Sequence, residues 1–267
     1  MKSEADRLFE KGKSMKRLFV AAVVGVFLLS GVAAQAMTLD EFMEKSAAYG
    51  KGKMTLAQYE ALCAAELAGD AQEDTDYRAQ VYANRALAYM NAKQLDKAKA
   101  DNGEALRLSP ASARALVNEA ELLAAEGDYH AAYAKMNALT ARAKEKGRTG
   151  IAEYTHRKAV EYREAAAVTA VALWQAFDAN EVAAEDKYKG KPIFVTGKIR
   201  SITTDPAGYP VVALDAGKSG FATVSCVFSK DARSTIAVLK KGQQVLIPGT
   251  CDGMILGQVF VKDCKVD

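Results

Sequence analysis

The 267-residue chain predicts a multidomain α-then-β architecture, a solenoid of helical hairpins followed by a small five-stranded barrel. Three observations predict it. Residues Ala79 to Lys146 repeat at an interval of 34 residues, the signature of stacked helical hairpins. After Ala167 the apolar pattern changes from the helical period to alternation, the mark of half-buried strands. Ahead of both, Leu18 to Val32 is an uninterrupted apolar and small stretch, short for a membrane-spanning helix.

Lys16-Arg17 gives that stretch a positive start, and Ala34-Gln35-Ala36 supplies the small residues a signal peptidase needs. This order makes residues 15–36 a secretory signal, with Met37 or Thr38 beginning the mature chain. Residues 1–14 are polar and charged, a non-native or misassigned start, because Met15 is the more sensible initiator. Val32 stands where the lipid-bearing Cys of a lipoprotein signal would be. The expected location is the periplasm of a bacterium, with membrane attachment only if the signal stays uncleaved.

Charge follows the same divisions. Residues 1–36 hold six Lys/Arg against three Asp/Glu, residues 37–168 eighteen against twenty, and residues 169–267 twelve against ten. The net +3 leaves with the signal, and neither remaining part has the basic excess that phosphate-backbone binding requires.

Thr38-Leu-Asp-Glu41 and Thr55-Leu-Ala-Gln58 read as capping boxes that start two helices. With Ala47, Tyr59, Leu62 and Ala64 they form a degenerate hairpin, followed by an acidic, solvated loop from Gly69 to Asp76. In the repeat, Asn84 recurs as Asn118, Ala86 as Ala120 and Ala98 as Ala132. Ala86 and Ala98 fall where two helices of a hairpin cross, and only a methyl group allows close approach there. Gly127 opens the turn of the second copy, Tyr129 packs over it, and Pro110 ends the second helix of the first copy. Ile151 to Ala167 is helical by pattern and caps the stack.

Tyr89, Ala98, Ala105 and Pro110, then Ala120, Gly127, Tyr129 and Ala132, resemble the tetratricopeptide repeat over residues 79–146. Arg85, Glu119 and Asn102 depart from its pattern, since Leu is usual at the first two and an aromatic at the third. The resemblance implies a concave groove into which Asn84, Arg114 and Asn118 point, holding the carboxylate of a peptide. Asn118 replaces a basic residue there, and Tyr49 and Lys53 do not complete the set. The alternative is that these residues are solvated polar positions on an exposed face.

Thr169 caps a short helix through Phe177 that carries Trp174, and Asn180 precedes a second, Glu181 to Lys187. Strands follow from Pro192, Tyr209 and Phe221, then a helix from Lys230 to Leu239, then strands from Gln244 and Gln258. Three strands, a helix and two strands is the order of an OB-fold barrel. Asn180-Glu-Val-Ala-Ala184, Val195-Thr-Gly197, Leu239-Lys-Lys-Gly-Gln243 and Gly249-Thr-Cys-Asp-Gly253 make residues 169–267 similar to the tRNA-anticodon-binding-like OB domains. That resemblance implies a ligand face at Tyr209, the loop Thr203 to Gly208, and Met254 to Gly257. It also places Cys264 near both Cys226 and Cys251. In an oxidising compartment this favours a Cys251–Cys264 disulfide, with Cys226–Cys264 or reduced thiols as alternatives. Few rings, weak charge and export argue against nucleic acid.

No H-E-x-x-H, G-x-S-x-G, C-x-x-C or phosphate-binding Gly loop is present; Glu153 and His156 make a single Glu-x-x-His pair with no second pair to finish a site, and Asp128 beside His130 in a turn favours surface hydrogen bonding. The expectation is an exported, non-enzymatic binding protein without cofactor or metal, its helical groove holding a protein or peptide of the envelope. The alternative is a barrel that binds oligosaccharide or nucleic acid directly, with the repeats as an oligomerisation arm.

Overall fold

Helix starts along the first half are fixed by the side chains that cap them. The structure, a computed structural model, describes residues 37–68, 74–217 and 222–265. The prefix 1–14, the signal 15–36, residues 69–73 of the acidic loop and Phe221 lie outside the described residues. Thr38 Oγ1 accepts the Glu41 N–H while the Glu41 carboxylate accepts the Thr38 N–H at 2.8 Å, opening α1 (Leu39–Gly50). Thr55 and Gln58 make the same reciprocal pair ahead of α2 (Leu56–Ala68). Helix α3 (Thr75–Asn91) begins earlier than the loop expected through Asp76, because Asp74 Oδ1 accepts the Tyr77 N–H at 2.9 Å.

The chain divides into two compact units inside α3, between Arg78 and Ala79. In the first, the Phe42 ring lies 6.3 Å from Tyr59 and 6.0 Å from Tyr77, and Tyr49 stacks on Tyr59 at 4.7 Å.

The second unit continues with α4 (Leu95–Leu108), α5 (Ala113–Ala125), α6 (Tyr129–Glu145) and α7 (Thr149–Ala165). Gly127 and Gly147 end α5 and α6 with φ of +87° and +64°, left-handed conformations that glycine adopts without a side-chain clash. Ala86, Ala98, Ala105, Ala120 and Ala132 are all fully buried between helices. Two of the residues that break the apolar pattern are paired across a hairpin. Arg85 makes a bidentate pair with Asp101 at 2.6 and 2.8 Å, and Glu119 accepts from Lys135 at 2.8 Å. These two cross-links recur at the repeat interval. Buried Asn102 donates to the Ala115 carbonyl at 3.0 Å, so its amide ties α4 to α5.

Strand β1 (Ala167–Thr169) leads into α8 (Ala170–Ala179) and α9 (Glu181–Tyr188), which Thr169 and Asn180 cap as their positions predict. The strands β2 (Pro192–Thr204), β3 (Pro210–Asp215), β4 (Thr223–Phe228), β5 (Gln244–Ile255) and β6 (Gln258–Cys264) follow. β2 pairs antiparallel with β3 and β5, β3 with β4 and β5 with β6, while β4 and β6 run parallel. These pairings close a five-stranded barrel, an OB-like domain, and β1 adds to β2 outside the ring. Its core gathers Val195, Ile199, Leu214, Val224, Phe228, Ile247 and Val261 with Leu173 and Phe177 of α8. Gly249 permits the closest approach within it: a Cβ there would lie 2.6 Å from Val261 Cγ1 and 2.9 Å from the Lys262 carbonyl.

The helix expected from Lys230 to Leu239 is shorter in the structure, a 3₁₀ turn (Lys230–Ala232) and α10 (Arg233–Ile236). Ile236 is the buried residue of this short helix while Val238 is exposed, so the core holds one turn in place and no more. The expected disulfide is also corrected. All four cysteines, Cys63, Cys226, Cys251 and Cys264, are buried thiols outside any disulfide. Cys251 stands opposite Val261, three residues short of Cys264, and the Cys264 thiol donates to the Val261 carbonyl at 3.3 Å. The neighbouring Cys264 thiol, together with burial, holds the Cys226 thiol well above its ordinary range.

Candidate functional site

The polar positions picked out by the repeat separate into structural and exposed groups. Asn118 is fully buried on α5 and donates its amide to the Ala83 carbonyl of α3 at 2.7 Å. Asn84 is buried and donates to the Gln80 carbonyl at 2.8 Å. Arg114, in the first turn of α5, is exposed, and its charge reaches Tyr154 on α7. Burial, then the hydrogen bond to Glu121, raises the Tyr154 hydroxyl above its usual range, while Arg114 and Arg157 oppose that shift. Of the three candidates, only Arg114 presents itself to solvent.

Beside it lies a cavity of about 200 Å³ that the repeat pattern did not single out. Leu116 of α5, Leu139 and Ala143 of α6 and Ile151 of α7 form its apolar wall. Arg142, Lys146 and Arg148 stand around it, all exposed. None of the three has a carboxylate partner among the described residues, whereas Lys99, Lys135, Lys158, Lys189 and Lys262 each pair with one. The cluster exists because the turn between α6 and α7 is basic: residues 141–158 hold six Lys/Arg against two Asp/Glu. Arg142 also suits the end of α6, where cations complement the helix dipole. The sequence signal was this run of cations flanked by Leu139 and Ile151, hidden by the near-neutral count over the whole helical part. The cavity thus sets an apolar wall beside three exposed cations.

Of the barrel candidates, Thr203 and Tyr209 lie at the β2–β3 hairpin end, where Thr204 pairs with Pro210. Tyr209 is 40% exposed, and the Lys230 ammonium sits 4.9 Å from its ring centroid. Thr203 is exposed on β2 opposite Val211, while Met254 packs partly against the core from β5. Trp174 Nε1 donates to the Gly257 carbonyl at 2.8 Å, fastening the β5–β6 turn to α8.

The helices and the barrel also share a contact. Phe194 on β2 lies between the core residues Ile193 and Val195, and its ring is nonetheless only 4% exposed. His130 of α6 stacks on it at 4.8 Å and 5°, and Tyr133 meets it edge-on at 4.9 Å. Burial lowers the His130 pKa against the opposing effect of Asp128. A cleft of about 570 Å³ opens beside this contact, with Asn137, Thr250, Asp263 and Lys265 on its walls.

Among the described residues no group of three His, Cys, Asp or Glu is placed to hold a metal, and no helix is long and apolar enough to cross a membrane. The family model described as tRNA_anti-like matches residues 13–265. The chain belongs to the tRNA_anti-like family. The tRNA_anti-like match takes in the helical part as well as the barrel, where the motifs quoted from the sequence cover 169–267 alone. No curated protein matches the chain. Among solved structures, a Klebsiella pneumoniae lipoprotein named for nucleic-acid binding is similar at 21% identity, over 38% of this chain and 90% of that one, with a TM-score of 0.33.

Proposed function

We propose that this protein is an exported, non-enzymatic binding protein of the bacterial periplasm, whose helical part is a tetratricopeptide-like solenoid that holds a protein or peptide partner. The barrel is the attached base. The observation that carries the reading is the apolar cavity at Leu116, Leu139 and Ile151 under Arg142, Lys146 and Arg148, three cations without carboxylate partners among the described residues. An acidic segment with one aliphatic side chain complements it in both charge and shape. The solenoid reading is supported by Leu95 and Tyr129, which begin α4 and α6 at the repeat interval of 34 residues. The buried alanines and the recurring cross-hairpin ion pairs support it as well. Export is supported by the signal motif at 15–36.

The second reading, a barrel that binds oligosaccharide or nucleic acid, has one specific observation in its favour. Exposed Tyr209 with Lys230 over its ring offers a stacking face beside a cation.

One experiment separates them. The mature chain is used to capture partners from envelope extract and is probed against glycan and oligonucleotide arrays. The triple variant Arg142→Glu, Lys146→Glu, Arg148→Glu is run beside Tyr209→Ala, Lys230→Ala. The proposal expects a protein partner whose affinity falls about tenfold or more in the triple variant, since exposed pairs contribute roughly 0.2–1 kcal/mol each and reversal adds repulsion. Array binding that is lost with Tyr209 and Lys230 instead establishes the second reading.

A further inference from the structure

Two buried carboxylates contrast within this chain, Asp101 and Glu66, both 8% exposed. Asp101 has the Arg85 guanidinium. Glu66 on α2 has no cation among the described residues: its Oε2 accepts the Tyr77 hydroxyl at 2.7 Å and the Met37 backbone N–H at 3.2 Å. Burying a carboxylate with neutral donors alone is unfavourable, and the usual remedy is a cation within reach.

We propose that Glu66 is the acceptor for the amino terminus that signal cleavage creates at Met37. The inference rests on the export reading. A signal peptidase hydrolyses the Ala36–Met37 amide: water adds across the C–N bond, Ala36 leaves with the new carboxylate, and the Met37 nitrogen takes a proton to become an ammonium. That nitrogen already lies 3.2 Å from the Glu66 carboxylate, so the neutral contact becomes an ion pair without rearrangement. A cut one residue further on would remove the atom concerned. The remaining ionisable groups leave the site to this pair. Tyr77 on α3 is held above its ordinary range by burial, then by Glu66, and stays a protonated donor. Glu41 on α1 is engaged with Thr38, and Cys63 of α2 adds a thiol near Tyr77. Maturation therefore locks the first unit, tying the start of α1 to α2 and, through Tyr77, to α3.

The test compares four full-length mature proteins: residues 37–267 released from a fusion with no added residue, the same chain extended by Gln35-Ala36, and each with Glu66→Gln. The chain beginning at Met37 should melt about 2–4 °C above the extended one, and Glu66→Gln should abolish the difference. A terminal amine has an unfolded pKa of about 7.7–8.0, and pairing raises the folded value. The advantage is thus fully present below about pH 7.7 and disappears as pH rises through the folded value. Mass spectrometry of the envelope protein should find Met37 at the amino terminus. An uncleaved terminus at Met15 overturns both the proposal and the cleavage it rests on, and a Thr38 terminus overturns the lock alone. A Met37 terminus with equal melting of the Met37 and extended chains overturns the lock and leaves export standing.

Discussion

The helical part and the barrel solve the same burial problem with different materials. The barrel closes its hydrogen-bond ladder on itself and fills one continuous core with Val, Ile, Leu and Phe. The helices meet in several small clusters around alanines, and the seams between them carry buried polar groups: Arg85 with Asp101, Asn102 on Ala115, Asn118 on Ala83. Polar seams fix register because each buried donor needs its own acceptor. The difference teaches where variation is affordable. A barrel strand cannot change without disturbing the shared core, while the outer surfaces of the helices can vary in charge.

That contrast is broken most severely at Gly249. A Cβ there meets Val261 Cγ1 and the Lys262 backbone, so Gly249→Val should cost more than about 3 kcal/mol and unfold the barrel in thermal melts. A wild-type melt for this variant would mean that β5 and β6 are not so closely packed.

The next effect concerns the join. Phe194 is buried on its outer side by His130 and Tyr133, so Phe194→Ser should cost about 1.5–3 kcal/mol. It should also let proteases cut between α7 and β2 sooner. The isolated barrel, residues 169–267, should show greater exposed apolar surface by dye binding than the full chain does.

Within the helices, Ala98→Leu or Ala132→Leu adds bulk at fully buried crossings and should cost about 1–3 kcal/mol. Equal melting of both variants and wild type would place these alanines outside the helix seams.

The smallest effect is a pH dependence. Burial lowers the His130 pKa, so the unfolded chain takes up its proton first as pH falls below about 6.5. The stability contributed by neutral His130 is intact above that pH and is lost as pH falls toward the folded value. His130→Phe should flatten this part of the melting-temperature profile between pH 7.5 and 5.5, whereas unchanged curvature would assign it to other groups.

Much of the architecture was legible because its signals are local. The capping residues Thr38, Thr55, Thr169 and Asn180 stand at the helix starts their sequence context marks, and strand order followed from alternation. What was hidden depends on contacts between distant elements. Asn84 and Asn118 have the composition of groove residues, and only packing shows that they bond to backbone carbonyls inside the stack. Phe194 looks like one more core residue until α6 is placed over it. The cysteine pairing depended on registers among β4, β5 and β6 that spacing does not specify.

The central claim is that the helices recognise a partner while the barrel supports them. Hydrogen–deuterium exchange of the mature chain, with and without a partner captured from the envelope, tests it most directly. The account predicts added protection at residues 111–116 and 139–151, around Arg142, Lys146 and Arg148, and no change at residues 203–209. Protection confined to 203–209 and Lys230, with the helical residues unchanged, would contradict it.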